Sequence, residues 1–449
     1  MRTTKKTTSL FLLISIIATL FFLNACTAVP EDDLMNLYEL VGVPPTDLNR
    51  VLYVKNSPAT TSGDGLSWAT AYGSGQLQTA INTAHAAYKS GGYSWYVVIQ
   101  QGTYIPSSRP NSGSSNHFSM QNGVTIIGGY KGDEIDGMPV GTVATTLSGN
   151  NTYRVFYHPS NMPTNLNVSA VLRNVTISNG NSTDKGGGMY SYHNSPVITH
   201  CTFTNNKAEE GGGMCCQNSD SIIISCNFTK NEAVIGGGLY SYNSKPRLIN
   251  CAFIENKATH TSDKYGGGGM LSNSSDPEIT NCTFFENISA RDGGGLYHRG
   301  GEKKIVTITN CTFTANKANT GAGGGMYRNS GTINVNGSIV LGNTASNTAN
   351  KNAYGVDSKY FIINNSLFTN TPANENLDSV FELDGGSIKS TTLNGTTYIQ
   401  IKSGGRAHNK ISENEMRKWY DTDLSTVIDQ RGYPRFHGTG GDIGAIELQ

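Results

Sequence analysis

Between residues 171 and 345 the sequence repeats about every 25 positions, a period too short for a domain to bury its own core, so neighbouring copies must stack on one another. The copies centre on Cys201, Cys226, Cys251, Cys282 and Cys311, at spacings of 25, 25, 31 and 29. Two residues after each cysteine stands a phenylalanine (Phe203, Phe228, Phe253, Phe284, Phe313), and three residues further an asparagine (Asn206, Asn231, Asn256, Asn287, Asn316). Glycine runs ending at Gly188, Gly213, Gly238, Gly269, Gly295 and Gly325 complete the unit.

Side-chain parity turns this pattern into geometry. Residues two apart on a strand point the same way, so Cys and Phe face one interior. Ile198, Leu248, Ile279 and Ile308, three before the cysteine, have the opposite parity, which requires a bend at the residue preceding the cysteine. That residue is Asn174, Asn250, Asn281, Asn310, Asn336 or Asn365, with His200 and Ser225 as exceptions. Asparagine tolerates left-handed backbone and forms amide ladders when identical positions pile up. The Asn206 set marks a second corner, and a third strand runs from the glycines through Met189, Met214, Leu239, Met270, Leu296 and Met326. Three short strands and three corners per repeat describe an all-β, single-stranded parallel β-helix, each coil adding about 4.8 Å of height. Helix-pair repeats are longer and carry period-3.6 apolar faces, which these Gly-, Asn-, Ser- and Thr-rich copies lack.

Eight cysteines in an exported chain would ordinarily suggest disulfides. Here five occupy one repeat position facing one interior, so an inward stack of free thiols is expected, with Val175 and Gly337 replacing cysteine in the flanking copies. A ladder spreads the thiols along the axis and brings no four to one height, so no metal is expected, and no cofactor motif is present. The formal net charge is zero with only 15% charged residues, which removes the electrostatic attraction that dominates nucleic-acid binding.

The N-terminus gives an address. Arg2, Lys5 and Lys6 precede an apolar run from Leu10 to Leu23, followed by Asn24, Ala25 and Cys26, the pattern of a signal peptide over residues 1–25. Leu and Ala before the cysteine resemble the bacterial lipobox, which implies a lipid on Cys26 and partnership with a membrane. The following Glu31, Asp32 and Asp33, in a linker over 26–50, resemble the acidic export signal of Bacteroidetes lipoproteins. The expected location is the outer membrane, with the body displayed at the cell surface.

Residues 51–170 read as an N-terminal cap and first coils, with a capping helix over 76–89 that places Leu77, Ala80, Ile81 and Ala84 on one face. The regular repeats occupy 171–375, and 376–449, with Trp419 and Tyr420, read as C-terminal coils and a cap. Gly102-Thr103-Tyr104, the stretch Val124 to Tyr130, Leu147-Ser148-Gly149, the stretch Leu172 to Ile177 and the ending Asp442 to Glu447 resemble secreted bacterial right-handed β-helix proteins of the choice-of-anchor Q type. The Phe-x-x-Asn elements from Phe203 to Asn316 and the Gly-Gly-Gly-Met/Leu runs are similar to the chlamydial polymorphic outer membrane protein repeat. That second resemblance implies adhesion, although its members end in a transmembrane barrel and here the lipid would serve as anchor.

Many β-helices resemble pectate lyases or polygalacturonases, whose chemistry needs carboxylates gathered on one face. The hydrolase motifs are missing; the nearest echoes are Asp421-Thr422-Asp423 and Phe436-His437-Gly438. Asp133, Glu134 and Asp136 read as a polar turn, and Asp184, Glu209, Glu210, Asp263 and Asp292 as solvated turns before the glycine runs. The insertion Thr259 to Lys264 is expected to bulge from one corner. The stronger candidate is aromatic: Tyr190, Tyr240, Tyr297 and Tyr327 follow the inward Met or Leu, joined two further on by Tyr192, Tyr242 and Arg299. Stacked coils would align them as an outward strip suited to sugars, tyrosine offering an apolar ring and a hydroxyl. The expectation is a binding or adhesion scaffold, for a glycan or a neighbouring cell-surface protein, rather than a catalyst; a polysaccharide-degrading enzyme is the alternative.

Overall fold

The computed structural model describes residues 48–368 with interruptions at 58–62, 112–114, 135–143, 160, 262–264, 302, 356–358 and 365, and beyond 368 the backbone of six short strands. Cys26 with its flanking signals, Asp136, Asp263, Asn365, Trp419, Tyr420 and the closing Asp442 to Glu447 lie outside the described residues.

Parallel pairing of each strand with its counterpart one repeat later produces a right-handed β-helix of about nine turns. Four long sheets run along it, one more than the three expected. The first has eleven strands, from Val51–Val54 to Phe361–Asn364, and the second ten, from Gly102–Tyr104 to Leu367–Phe368. The third has six, from Lys207–Glu210 to Thr344–Ala345, and the fourth eight, from Phe156–His158 to Ala353–Tyr354. At one register position the third sheet buries only small residues, Ala208, Ala233, Ala258, Ser289 and Ala318, in strands of two to four residues.

The corners fall where the backbone turns left-handed. Asn174, His200, Ser225, Asn250, Asn281 and Asn310 have φ of 50–55°, as their position before the inward cysteine requires. Gly337, with φ of 55°, is the equivalent corner one coil on. It is therefore Ser338 rather than Gly337 that replaces cysteine, accepting the Cys311 N–H on Oγ at 3.0 Å. At the second corner the left-handed residue is the one before the conserved amide, namely Asn205, Lys230, Glu255, Glu286 or Ala315, at 53–56°. The first glycine of each triplet turns a third corner at 59–77°. The last glycine serves another purpose: a Cβ on Gly213 would lie 2.5 Å from the Gly238 carbonyl and 2.9 Å from the Phe228 ring.

Asn206, Asn231, Asn256, Asn287, Asn316 and Asn343 point inward and are almost fully buried. Each Nδ2 donates to the Oδ1 of the next asparagine at 2.8–3.0 Å, and the ladder ends on Asn352. The same Nδ2 donates back to a carbonyl of the preceding coil, Phe228 O at 2.8 Å for Asn256, and each Oδ1 also accepts the backbone N–H of the asparagine before it. Beside this ladder Phe203, Phe228, Phe253, Phe284 and Phe313 stack at centroid spacings of 4.8, 4.7, 4.6 and 4.3 Å, within 6° of parallel. Each buried ring contributes about 2–3 kcal/mol from burial alone. The cysteines form the expected file of free thiols, linked by N–H to Sγ contacts such as Cys282 to Cys311 at 3.3 Å.

The helix Leu77–Gly91 buries Leu77, Ala80, Ile81 and Ala84, joined by Gln78, whose amide pairs with both backbone groups of the Ser119 region. It packs on the first strands of the first sheet and ends at left-handed Gly92. At the other extreme the hairpin Ser390–Leu393/Thr396–Ile399 departs from the expected end cap, because Thr396–Ile399 lies against Ala252–Ile254 and Thr283–Phe285 in the middle of the second sheet. Ile254 and Phe285, which point away from the core there, are accordingly only 7% and 8% exposed.

Two outcomes are expected. Replacing Asn256 by Leu strands the Asn231 amide groups and the Phe228 carbonyl, and should lower stability in urea unfolding by at least about 3 kcal/mol, each buried unpaired group costing roughly 1–3. Lys245→Ala, exposed on the exterior, should stay within about 0.5 kcal/mol. Placing Asp at Ile254 and Phe285 should speed hydrogen exchange in residues 390–399 while the strands bearing the phenylalanine ladder remain protected.

Candidate functional site

The outer face of the fourth sheet carries the aromatic candidates. Along its strands Met189, Met214, Leu239, Met270, Leu296 and Met326 point inward at 0% exposure, so the next residue faces out. Strand register aligns that outward position as Tyr157, Tyr190, Cys215, Tyr240, Leu271, Tyr297, Tyr327 and Tyr354, one per coil. A second outward column, two residues on, consists of Tyr192, Gln217, Tyr242, Asn273 and Arg299.

The first column is only partly accessible, which corrects the expectation of an exposed strip. Cys215, Leu271 and Tyr297 are fully buried and Tyr240 is 5% exposed, forming with Ile235 a second apolar core outside the barrel. Tyr265, at the end of the insertion that was expected to bulge away, packs against this cluster. Arg299 holds it there, with its guanidinium 5.4 Å from the Tyr265 ring centre, and His260 meets the same ring edge-on at 5.6 Å. Tyr297, Tyr327 and Tyr354 stack at 4.9 and 4.7 Å, within 13° of parallel, so their faces are occupied by one another. Burial raises the phenols of Tyr190, Tyr240 and Tyr297 well above the ordinary range, and those of Tyr190 and Tyr240 act as neutral hydrogen-bonding groups.

Those hydroxyls support the second column. The Tyr190 O–H donates to Gln217 Oε1 at 3.0 Å, and Asn273 Nδ2 donates to the Tyr240 oxygen at 3.1 Å. Tyr192, Gln217, Asn273 and Arg299 are half-buried and Tyr242 is 38% exposed, so this column is the accessible one.

Arg154 closes the N-terminal end of the first column. Its Nε donates to the Lys185 and Gly186 carbonyls at 2.8 and 3.0 Å and its Nη2 to Ser182 Oγ at 2.7 Å. The guanidinium lies over Tyr157 and Tyr190, 4.6 and 5.6 Å from the ring centres. Neither Arg154 nor Tyr157 was singled out from sequence, because both precede the regular repeats. Alongside, Lys185 Nζ bridges Asp184 at 3.2 Å and Glu210 at 3.4 Å, and burial raises the Glu210 carboxyl despite the nearby ammonium.

The remaining acidic candidates do not converge. Glu134 accepts N–H groups of its own turn, including Gly132 at 2.8 Å. Asp292 is buried beside Arg291 and accepts the Ala322 N–H at 2.8 Å, which makes it a corner brace. Among the described residues no three His, Cys, Asp or Glu side chains gather as a metal site.

The family model of the right-handed β-helix region matches residues 111–287, 166–335 and 213–367, overlapping spans that together cover more than half of the 449 residues. No curated protein matches. A solved structure titled as the crystal structure of pectate lyase Pel9A is similar at 11% identity, covering 89% of this chain and 96% of that chain, with a TM-score of 0.47.

The covering of the first column is testable through Cys215, whose thiol burial pushes far above its usual value. In the native protein at neutral pH it and the other six described cysteines should resist a thiol reagent and react once unfolded. Selective native labelling of Cys215 would mean that Tyr265 and Ile235 leave the column open.

Proposed function

This chain belongs to the right-handed β-helix family, and from that premise we propose that it is a non-catalytic binding scaffold, anchored to the outer membrane through a lipid on Cys26 and displayed at the cell surface. Its ligand face is the outer side of the fourth sheet, and its ligand class is carbohydrate on neighbouring or host surfaces. The observation that carries this reading is the second column. Five side chains able to stack or hydrogen-bond are held at one-coil intervals on a rigid frame, supported by the hydroxyls of Tyr190 and Tyr240. A frame ordered before binding loses little further entropy when a ligand docks. The Gly-rich repeats and the Phe-x-x-Asn elements support an adhesive role of the kind that the polymorphic outer membrane protein repeats imply.

A second reading, a polysaccharide-cleaving enzyme, draws on Asp184, Lys185 and Glu210, which place a carboxyl of raised pKa and a second carboxylate around one ammonium, next to the aromatic column. The two readings part in one experiment. The full chain is assayed against neutral and acidic glycans, scoring retention and release of reducing or unsaturated ends in the same wells. Retention without release, with Cys26→Ala shifting the protein from the membrane to the soluble fraction, is the expected result. Release abolished by Glu210→Gln would establish the enzyme instead.

A further inference from the structure

Within the second column, Tyr192, Gln217 and Tyr242 occupy three successive coils. Tyr192 lies 6.3 Å from Tyr190 at 20°, and Tyr242 lies 6.4 Å from Tyr240 at 24°. Each ring thus stands in a similar relation to the tyrosine two residues before it, and strand register places the two residues two coil heights apart, about 9.6 Å. A flat or chair-shaped ring in contact with both faces needs about 3.5–4 Å on each side. That is about 7–8 Å in all, so the roughly 9.6 Å spacing admits one such ring, touching both faces once each tyrosine leans inward by about 1 Å, and excludes two.

The walls of this space are polar and include no carboxylate, lysine or arginine among Gln217, His193, Asn218 and Asn243. Gln217 is the outward residue of the coil between them; its Oε1 is taken by the Tyr190 hydroxyl, while its Nε2 has no protein acceptor among the described residues. One side is lined by the outer corner ladder, in which Asn243 Nδ2 donates to Asn218 Oδ1 and the Asn218 amide meets His193 Nε2 at 3.4 Å. His193 also stands edge-on to Tyr192 at 4.4 Å. Next along the column the pattern changes, because Asn273 is tied to Tyr240 and Arg299 to Tyr265.

We infer that Tyr192 and Tyr242 clasp a single neutral pyranose ring, with Gln217 Nε2 donating to a ring hydroxyl and the His193–Asn218–Asn243 corner reading a second one. This rests on the carbohydrate-binding reading above and narrows it to one subsite and one sugar class. Aromatic faces take the C–H faces of a pyranose, and fixed amides take its hydroxyls. No lysine or arginine lines the slot to pair with a uronate.

The test uses the full chain and surface-immobilised neutral oligosaccharides, namely β-linked and α-linked glucans and a mannan, with the corresponding uronate polymers alongside. Tyr192→Ala and Tyr242→Ala should each weaken binding to a neutral oligosaccharide by at least about tenfold, the loss typical of an anchoring aromatic side chain. Gln217→Leu should weaken it as well, while Lys317→Ala, exposed on the third sheet, leaves it unchanged. Matching thermal unfolding of the four variants separates lost binding from lost folding. Neutral-sugar binding that survives both slot substitutions overturns the subsite while leaving the scaffold reading in place. Preference for the uronate polymers overturns the sugar class, and no binding to any member overturns both readings.

Discussion

Everything in this fold depends on a buried amide finding the same amide one coil above and one coil below. An asparagine side chain brings two donors and two acceptor sites into a core with no water to satisfy them. In this chain Asn231, Asn256, Asn287 and Asn316 meet that demand only because the coils are in register along the axis. A slip of one residue would leave every rung unpaired at once. The ladder thus converts a local repeat into a global constraint on height, register and direction. The stacked phenylalanines and the file of thiols occupy the positions that this register dictates.

The same axial repetition limits what the exterior can do. Rings repeated at every coil approach to 4.7–4.9 Å and spend their faces on each other, as Tyr297, Tyr327 and Tyr354 do. That tyrosine stack is therefore a second structural spine with Tyr297 buried in it, while Tyr240 is buried between Cys215 and Leu271. Recognition needs a break in the repetition, and the second column supplies one by alternating Tyr192, Gln217 and Tyr242. The aromatic faces left available are those separated by an amide.

Much of this was legible in the sequence for a physical reason. The inward Cys, Phe and Met positions repeat because the core repeats, and the residue before each cysteine had to turn the chain. The third sheet is not legible because its strands are only two to four residues long and their aligned buried position holds Ala208 and similarly small residues, which give no apolar signal. The substitution of Ser338, rather than Gly337, for cysteine was misplaced because the last coils lose the Asn-Cys pairing that marks the corner. Parity correctly sent Tyr240 and Tyr297 outward. It could not show that Ile235, in another sheet, and Tyr265, after an insertion, would pack against them, nor that Arg154 would arrive from an earlier coil to close the column. Side-chain direction is a local property, whereas accessibility depends on what the rest of the chain lays over it.

The most direct test of the central claim, that ligand binding belongs to the outer face of the fourth sheet, is a hydrogen-exchange footprint of the full chain with and without a bound oligosaccharide. The expected result is protection concentrated in Met189–Tyr192, Met214–Gln217 and Leu239–Tyr242 and the corners that follow them. Protection confined instead to the first or second sheet, with these strands unchanged, would contradict it.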